Sequence, residues 1–169
     1  RLIEFSCPET VLNNQLKYNN LLIGPGLSKN FNIQTYLEKR LPMDDISDDL
    51  SMILDASALN KFCINLPKAY NDISFIRTPH IRELHRMFNL TDNFNSLLFF
   101  IDKIRNNTND NDITILKGPS TFIITPDLIY IVDNAPSSLA TAGTGDVLSG
   151  ILISLLSQGY SRLEASILG

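Results

Sequence analysis

Four short apolar runs, each halted by small or turn-forming residues, constrain this chain more than any other feature. Leu21-Leu22-Ile23 stops at Gly24-Pro25-Gly26, and Met52-Ile53-Leu54 at Asp55-Ala56-Ser57. Ile73 to Ile76 stops at Thr78-Pro79-His80, and Ile113 to Leu116 at Lys117-Gly118-Pro119. Runs this short and this largely apolar, broken only by Ser74 and Thr114, read as strands covered on both faces. Between them lie segments with helical spacing. Asn30 to Leu41 places Ile33, Tyr36, Leu37 and Leu41 at helical intervals, and Pro42 ends it. Ile81, Leu84 and Phe88 share one face, with Met87 beside them, and Asn93 to Arg105 reads as another helix. Thr121 to Thr125 and Leu128 to Val132 read as a hairpin about Pro126-Asp127. The alternation predicts an α/β fold of three layers, a mainly parallel sheet with helices on both faces.

The 169 residues suffice for one domain, 1–169, and no composition shift or repeat divides them. A net charge of -4 with scattered basic residues argues against a nucleic-acid partner. No apolar run approaches the roughly 20 residues of a membrane span. Cys7 and Cys63 have neither a disulfide framework nor metal spacing, so both are expected to be reduced thiols of a cytoplasmic protein. The chain opens inside a strand-like segment, Leu2 to Phe5. It stops just as Leu163 to Leu168 sets up another helix, so N-terminal and C-terminal portions of the domain are expected to be missing. Met43 to Asp49 is acidic and reads as a surface loop.

In parallel α/β sheets, ligands bind beyond the carboxyl ends of the strands, and that is where the unusual residues fall. The richest stretch is Leu139 to Gly150, in which Gly143-Thr144-Gly145-Asp146 opens an apolar helix, expected to be buried, from Val147 to Leu156 that ends near Gly159. Uncapped amides at a helix start hold anions, because that end carries about half a positive charge. A carboxylate in the same turn repels an anion, so Asp146 makes sense there as a chemical group acting on something about to meet a phosphate. The bland alternative is a helix-start carboxylate stabilised by the dipole. The flanking Ala140-Thr141-Ala142 allow close backbone approach, which a mere cap does not need. Neither a Walker A loop nor the dinucleotide glycine fingerprint is present.

Three further corners carry both readings. Gly24-Pro25-Gly26 is a turn, or room for a bulky ligand against the backbone at Gly26. Thr78-Pro79-His80 with Glu83 is a helix start, or a place for His80 as a hydrogen-bond donor to a ligand. Lys117-Gly118-Pro119-Ser120-Thr121 is a loop, or a lysine and hydroxyls set near nucleotide phosphates or ribose. Asp55 ends a strand, as a turn residue or a holder of a cation or water. His85 is expected to be structural, and no cluster suggests a structural metal.

In this order, Ile23 to Leu27, Ile53 to Leu59, Thr78 to Glu83, Ile115 to Thr121 and Leu139 to Gly150 resemble the motifs of the NAD(P)H-hydrate dehydratase family, over about Pro8 to Gly169. The resemblance implies a ribokinase-like fold and a lyase. It implies a substrate, NADH or NADPH hydrated at C6 of the nicotinamide ring, whose hydroxyl is phosphorylated so that phosphate leaves and the C5=C6 bond returns. ADP is the implied donor, ATP the alternative, and Mg2+ is expected with either. Asp146 is implied as general base. Gly26, His80 and Asp146 would contact the dinucleotide. Lys117, Gly118, Pro119, Ser120, Thr121, Gly143, Thr144 and Gly145 would contact the nucleotide, with the Gly143 to Gly145 amides stabilising the transferring group. Members often form homo-oligomers, and in many bacteria an epimerase domain precedes this one. Two departures stand out. The second aspartate of Leu-Asp-Ala-Asp-Ala-Leu is Ser57 here, and Ala135-Pro136-Ser137-Ser138 replaces Gly-Asn-Pro-Gly. The rival readings are a small-molecule kinase of the same superfamily and a non-catalytic nucleotide-binding remnant.

Overall fold

The computed structural model describes residues 19–40, 49–64, 66, 70–90, 96–133 and 141–169. The expected strand at Leu2 to Phe5, Cys7, most of the Met43 to Asp49 loop and the Ala135-Pro136-Ser137-Ser138 segment lie outside those residues. The strands are β1 Asn20–Ile23, β2 Ser51–Leu54, β3 Ser74–Arg77, β4 Ile113–Leu116, β5 Ser120–Ile124 and β6 Ile129–Asp133. The α-helices are α1 Ile33–Arg40, α2 Ile81–Met87, α3 Leu97–Arg105, α4 Thr144–Ser157 and α5 Arg162–Leu168. The sheet order is β1-β2-β3-β4-β5-β6. β1 to β4 pair in parallel, and β4-β5 and β5-β6 are antiparallel. The hairpin closes as expected, with Leu128 N–H donating to the Thr125 hydroxyl at 2.9 Å and Thr125 N–H to the Leu128 carbonyl at 2.9 Å.

Strand side chains alternate between the two faces, and the cores follow. Met52, Leu54, Phe75, Leu116 and Ile124 pack with α1, α2 and α3 through Ile33, Leu37, Leu84, Met87, Phe100 and Ile104. Ile53, Ile76, Ile115 and Ile123 pack on the other side with Leu152 and Leu156 of α4 and Ala165 of α5. Residues adjacent in one apolar run thus feed different cores, which is why the runs are largely apolar in sequence. Two helix faces differ from the expectation. In α2 the buried residues are Glu83, Leu84 and Met87, whereas Ile81 is exposed, because the helix turns its first residue outward after its cap. In α4 only the stripe Ser149, Leu152, Leu156 is buried, while Val147 and Ile151 are exposed, so the apolar run is a one-sided helix rather than a wholly buried one.

Gly24 has φ +137°, and a Cβ there would lie 1.7 Å from the Asp55 carbonyl oxygen. The constraint comes from the fold itself: the ends of β1 and β2 touch backbone to backbone. We expect Gly24→Ala to cost about 3 kcal/mol or more, read as a lower denaturant midpoint. A midpoint equal to wild type would contradict this contact.

Candidate active site

The carboxyl ends of β2, β3 and β4 are stitched together by one polar cluster. Asp55, just past β2, is 2% exposed. One of its oxygens accepts from Lys117 Nζ at 3.0 Å, and the other from Ser149 Oγ of α4 at 2.7 Å. Lys117 follows β4, and its backbone N–H donates to the Pro79 carbonyl past β3 at 2.8 Å. The Lys117 ammonium also lies 3.9 Å from Glu83 Oε2. Burial alone pushes the Asp55 carboxyl up. The Lys117 charge and hydrogen bonds from Ser149, Lys117 and Thr78 outweigh that and hold its pKa below the ordinary carboxylate value. Asp55 was open to two readings, turn residue or holder of a cation or water, and the cation beside it is the chain's own Lys117 ammonium.

A folded-state pKa below the unfolded one means the native state favours ionised Asp55. That contribution is complete above the unfolded carboxylate pKa of about 4 and is lost as pH falls through the lowered folded value. Stability measured by denaturant should therefore decline in acid below about pH 4, and less steeply in Asp55→Asn. An equal decline in both proteins would place the acid sensitivity elsewhere.

His80 caps α2. Its Nδ1 accepts from Arg82 N–H at 3.1 Å and Glu83 N–H at 3.2 Å, and Glu83 Oε2 accepts from His80 N–H at 2.9 Å, a reciprocal box. With Nδ1 used as an acceptor, the neutral ring carries its proton on Nε2. The side chain is 49% exposed, so a donor is presented at the strand-end rim. His85 instead packs edge-on against Phe100, centroids 5.2 Å apart, as a structural residue.

α4 begins at the glycine turn. Gly143 is its N-cap at φ 94° and supplies no side-chain acceptor. The Thr144 hydroxyl donates to the Thr141 carbonyl at 2.9 Å, closing the turn locally. A Cβ on Gly145 would lie 3.4 Å from Lys117 Nζ and 3.8 Å from an Asp55 oxygen, so the helix start rests directly on that ion pair. Asp146 sits in the first turn and is exposed. Gly26, at φ 75°, has open space where a Cβ would be.

Asp55, Lys117, His80 and the Gly143 to Asp146 turn thus gather at one sheet edge. The Lys117 to Thr121 stretch is split. Gly118 and Pro119 form an exposed corner, whereas Ser120 and Thr121 already belong to β5, and Ser120 Oγ donates to Asp133 at 2.9 Å. The Lys117 ammonium turns inward rather than out of the loop. Sequence reasoning missed Ser149, although it shares a helical stripe with Leu152 and Leu156 and is the polar member of it.

A family model described as NAD(P)H-hydrate dehydratase matches residues 3–169. The "Bifunctional NAD(P)H-hydrate repair enzyme Nnr" of Dictyoglomus turgidum is 32% identical over 155 residues, covering 87% of this chain and 28% of that protein. The "ADP-dependent (S)-NAD(P)H-hydrate dehydratase" of Neisseria meningitidis is 35% identical over 132 residues, covering 72% of this chain and 42% of that protein. A solved ADP/ATP-dependent NAD(P)H-hydrate dehydratase from Bacillus subtilis, co-crystallized with ATP/Mg2+ and soaked with CoA, superimposes with a TM-score of 0.63 at 26% identity. The match covers 88% of this chain and 53% of that one. This chain therefore spans less than half the length of the two curated relatives. The sheet and its two helical layers are those of the ribokinase-like fold.

Proposed function

The chain belongs to the NAD(P)H-hydrate dehydratase family, and on that footing we propose that it carries the nucleotide-dependent site that repairs hydrated NADH or NADPH. The observation that supports this most is the exposed Asp146 carboxylate in the first turn of α4, beside an uncapped helix start. In this reading Asp146 takes the proton from the hydroxyl on the nicotinamide ring as general base. The Gly143 to Gly145 amides receive the charge that spreads over the transferring phosphoryl group. His80, its ring half-exposed and its Nε2 3.7 Å from Glu83 Oε2, donates to the dinucleotide, and Gly26 gives it room to lie on the backbone. Gly118 and Pro119 form the corner against the nucleotide, with Lys117 supplying charge from beneath the turn and Thr144, Ser120 and Thr121 lining its approach.

ADP, or ATP, supplies when bound the phosphoryl group that turns a poor leaving group into a good one. Among the described residues no group of three or more His, Cys, Asp or Glu converges on a metal position. A Mg2+ ion arriving with the nucleotide would draw its oxygens mainly from phosphate and water. Longer relatives support reading the chain as part of a larger domain, with a fused epimerase and self-association as further parts of this proposal. Among the described residues no helix is long and apolar enough to cross a membrane, and residence in the cytoplasm belongs to the same proposal.

The test is to incubate the protein with ADP and hydrated NADH and follow the reduced-nicotinamide absorbance together with free phosphate. Equal amounts of both are expected. A phosphorylated product that accumulates would point to a kinase, and nucleotide binding without turnover to a non-catalytic protein.

A further inference from the structure

We propose that Ser149 and Asp55 are positioning residues, whose buried hydrogen bond sets where the first turn of α4 presents Asp146 and its amides. The proposal rests on the reading of Asp146 as the reacting carboxylate. At the start of α4, Thr144, Gly145 and Leu148 are half-buried, and Asp146 and Val147 are exposed. The N-cap has no side chain to anchor the turn. Ser149 is the first fully buried side chain of the helix, at 0% exposure, and it is polar rather than apolar. Apolar packing is non-directional and lets a helix slide or roll slightly. A 2.7 Å hydrogen bond to a carboxylate fixes both depth and rotation. Asp146 lies three residues before Ser149, a neighbour on the helix surface, so a roll of Ser149 moves Asp146 with it.

The other end of the bond is equally fixed. Asp55 cannot turn without breaking its 3.0 Å bond to Lys117, whose backbone is tied to Pro79. Gly24, pressed against the Asp55 carbonyl, blocks backbone retreat. The turn is thus referenced to four strand ends at once, and Asp55 and Ser149 lie 94 residues apart in the chain. Asp55 also does what a neutral acceptor would do less well: its charge shortens and strengthens the Ser149 bond.

The experiment compares wild type, Ser149→Ala and Ser149→Thr in steady-state kinetics with ADP and hydrated NADH, and in amide hydrogen exchange. Ser149→Ala should lower kcat about 10–100-fold, as expected for a reacting group displaced by a fraction of an ångström to an ångström. KM for the hydrated dinucleotide should change by less than about 3-fold, because the loss falls on the transition state. Exchange at the hydrogen-bonded amides that close the first turn, Val147, Leu148 and Ser149, should quicken about tenfold or more, while β4 amides keep their rates. Ser149→Thr, which keeps the hydroxyl, should recover most of kcat. Wild-type kcat in Ser149→Ala, or unchanged exchange in the first turn, would overturn the proposal. So would a kcat loss that Ser149→Thr fails to recover while it folds with wild-type stability. An inactive wild type would instead refute the repair activity, and the exchange rates would still decide the anchor.

Discussion

Asp146→Asn should fold like the wild type and lose turnover by a factor of about 100 or more, the share a positioned general base commonly supplies. The substitution keeps the shape of the side chain and removes its capacity to accept a proton. Asp146 is exposed and no side-chain partner is described for it, so its loss leaves no buried group unsatisfied. The melting temperature should accordingly stay close to wild type. Nucleotide affinity separates this reading from simple damage. A carboxylate beside a phosphate repels it, so removing the charge should leave ADP binding as tight or tighter. The check is calorimetric titration of ADP alongside the absorbance assay. Full activity in Asp146→Asn would refute the assignment, and weakened ADP binding would show that the turn itself had been disturbed.

Asp112→Ala should be the most destabilising change away from the candidate site. Asp112 is 2% exposed and Arg77 3%. One Asp112 oxygen accepts from Phe75 N–H at 2.9 Å, and the other from Arg77 Nη1 at 2.9 Å and Asn109 N–H at 3.0 Å. Arg77 Nε donates to the Cys63 carbonyl at 3.0 Å, and its guanidinium lies 5.0 Å from the Phe75 ring centroid. Truncation strands a buried guanidinium and two backbone donors together, and such losses run to about 3–5 kcal/mol. For a chain of this size that corresponds to a melting temperature lower by roughly 6–20 °C. Replacing both charges with apolar groups should cost less than removing Asp112 alone, because nothing charged is then left unpaired. A drop of only a degree or two in Asp112→Ala would mean that water reaches Arg77.

The strands were legible because each apolar run is brief and ends at a breaker. β4, Ile113–Leu116, begins and ends where the sequence alone puts it. Cys63 is buried, and that burial pushes its thiol pKa up. The convergence of strand-end motifs on one edge also followed from topology, since parallel strands send their carboxyl ends the same way. Partnerships were not legible. Lys117 and Asp55 lie 62 residues apart, and nothing local to either says that the ammonium turns inward. Ser149 hid within an apolar run because a serine in a helix is usually solvated. Its stripe with Leu152 and Leu156 was the signal, and only the face of the sheet it meets says what it bonds. The Ser120 hydroxyl reads as a loop group because the corner at Gly118-Pro119 is shorter than the sequence suggests, and β5 begins at Ser120, one residue before the expected Thr121.

A crystal structure of the protein with ADP bound tests the site most directly. The terminal phosphate should rest against the Gly143, Thr144 and Gly145 amides, with the Asp146 carboxylate facing the same space and His80 on its far side. Phosphates held elsewhere, with the glycine turn empty and Asp146 directed into bulk water, would contradict the proposed chemistry.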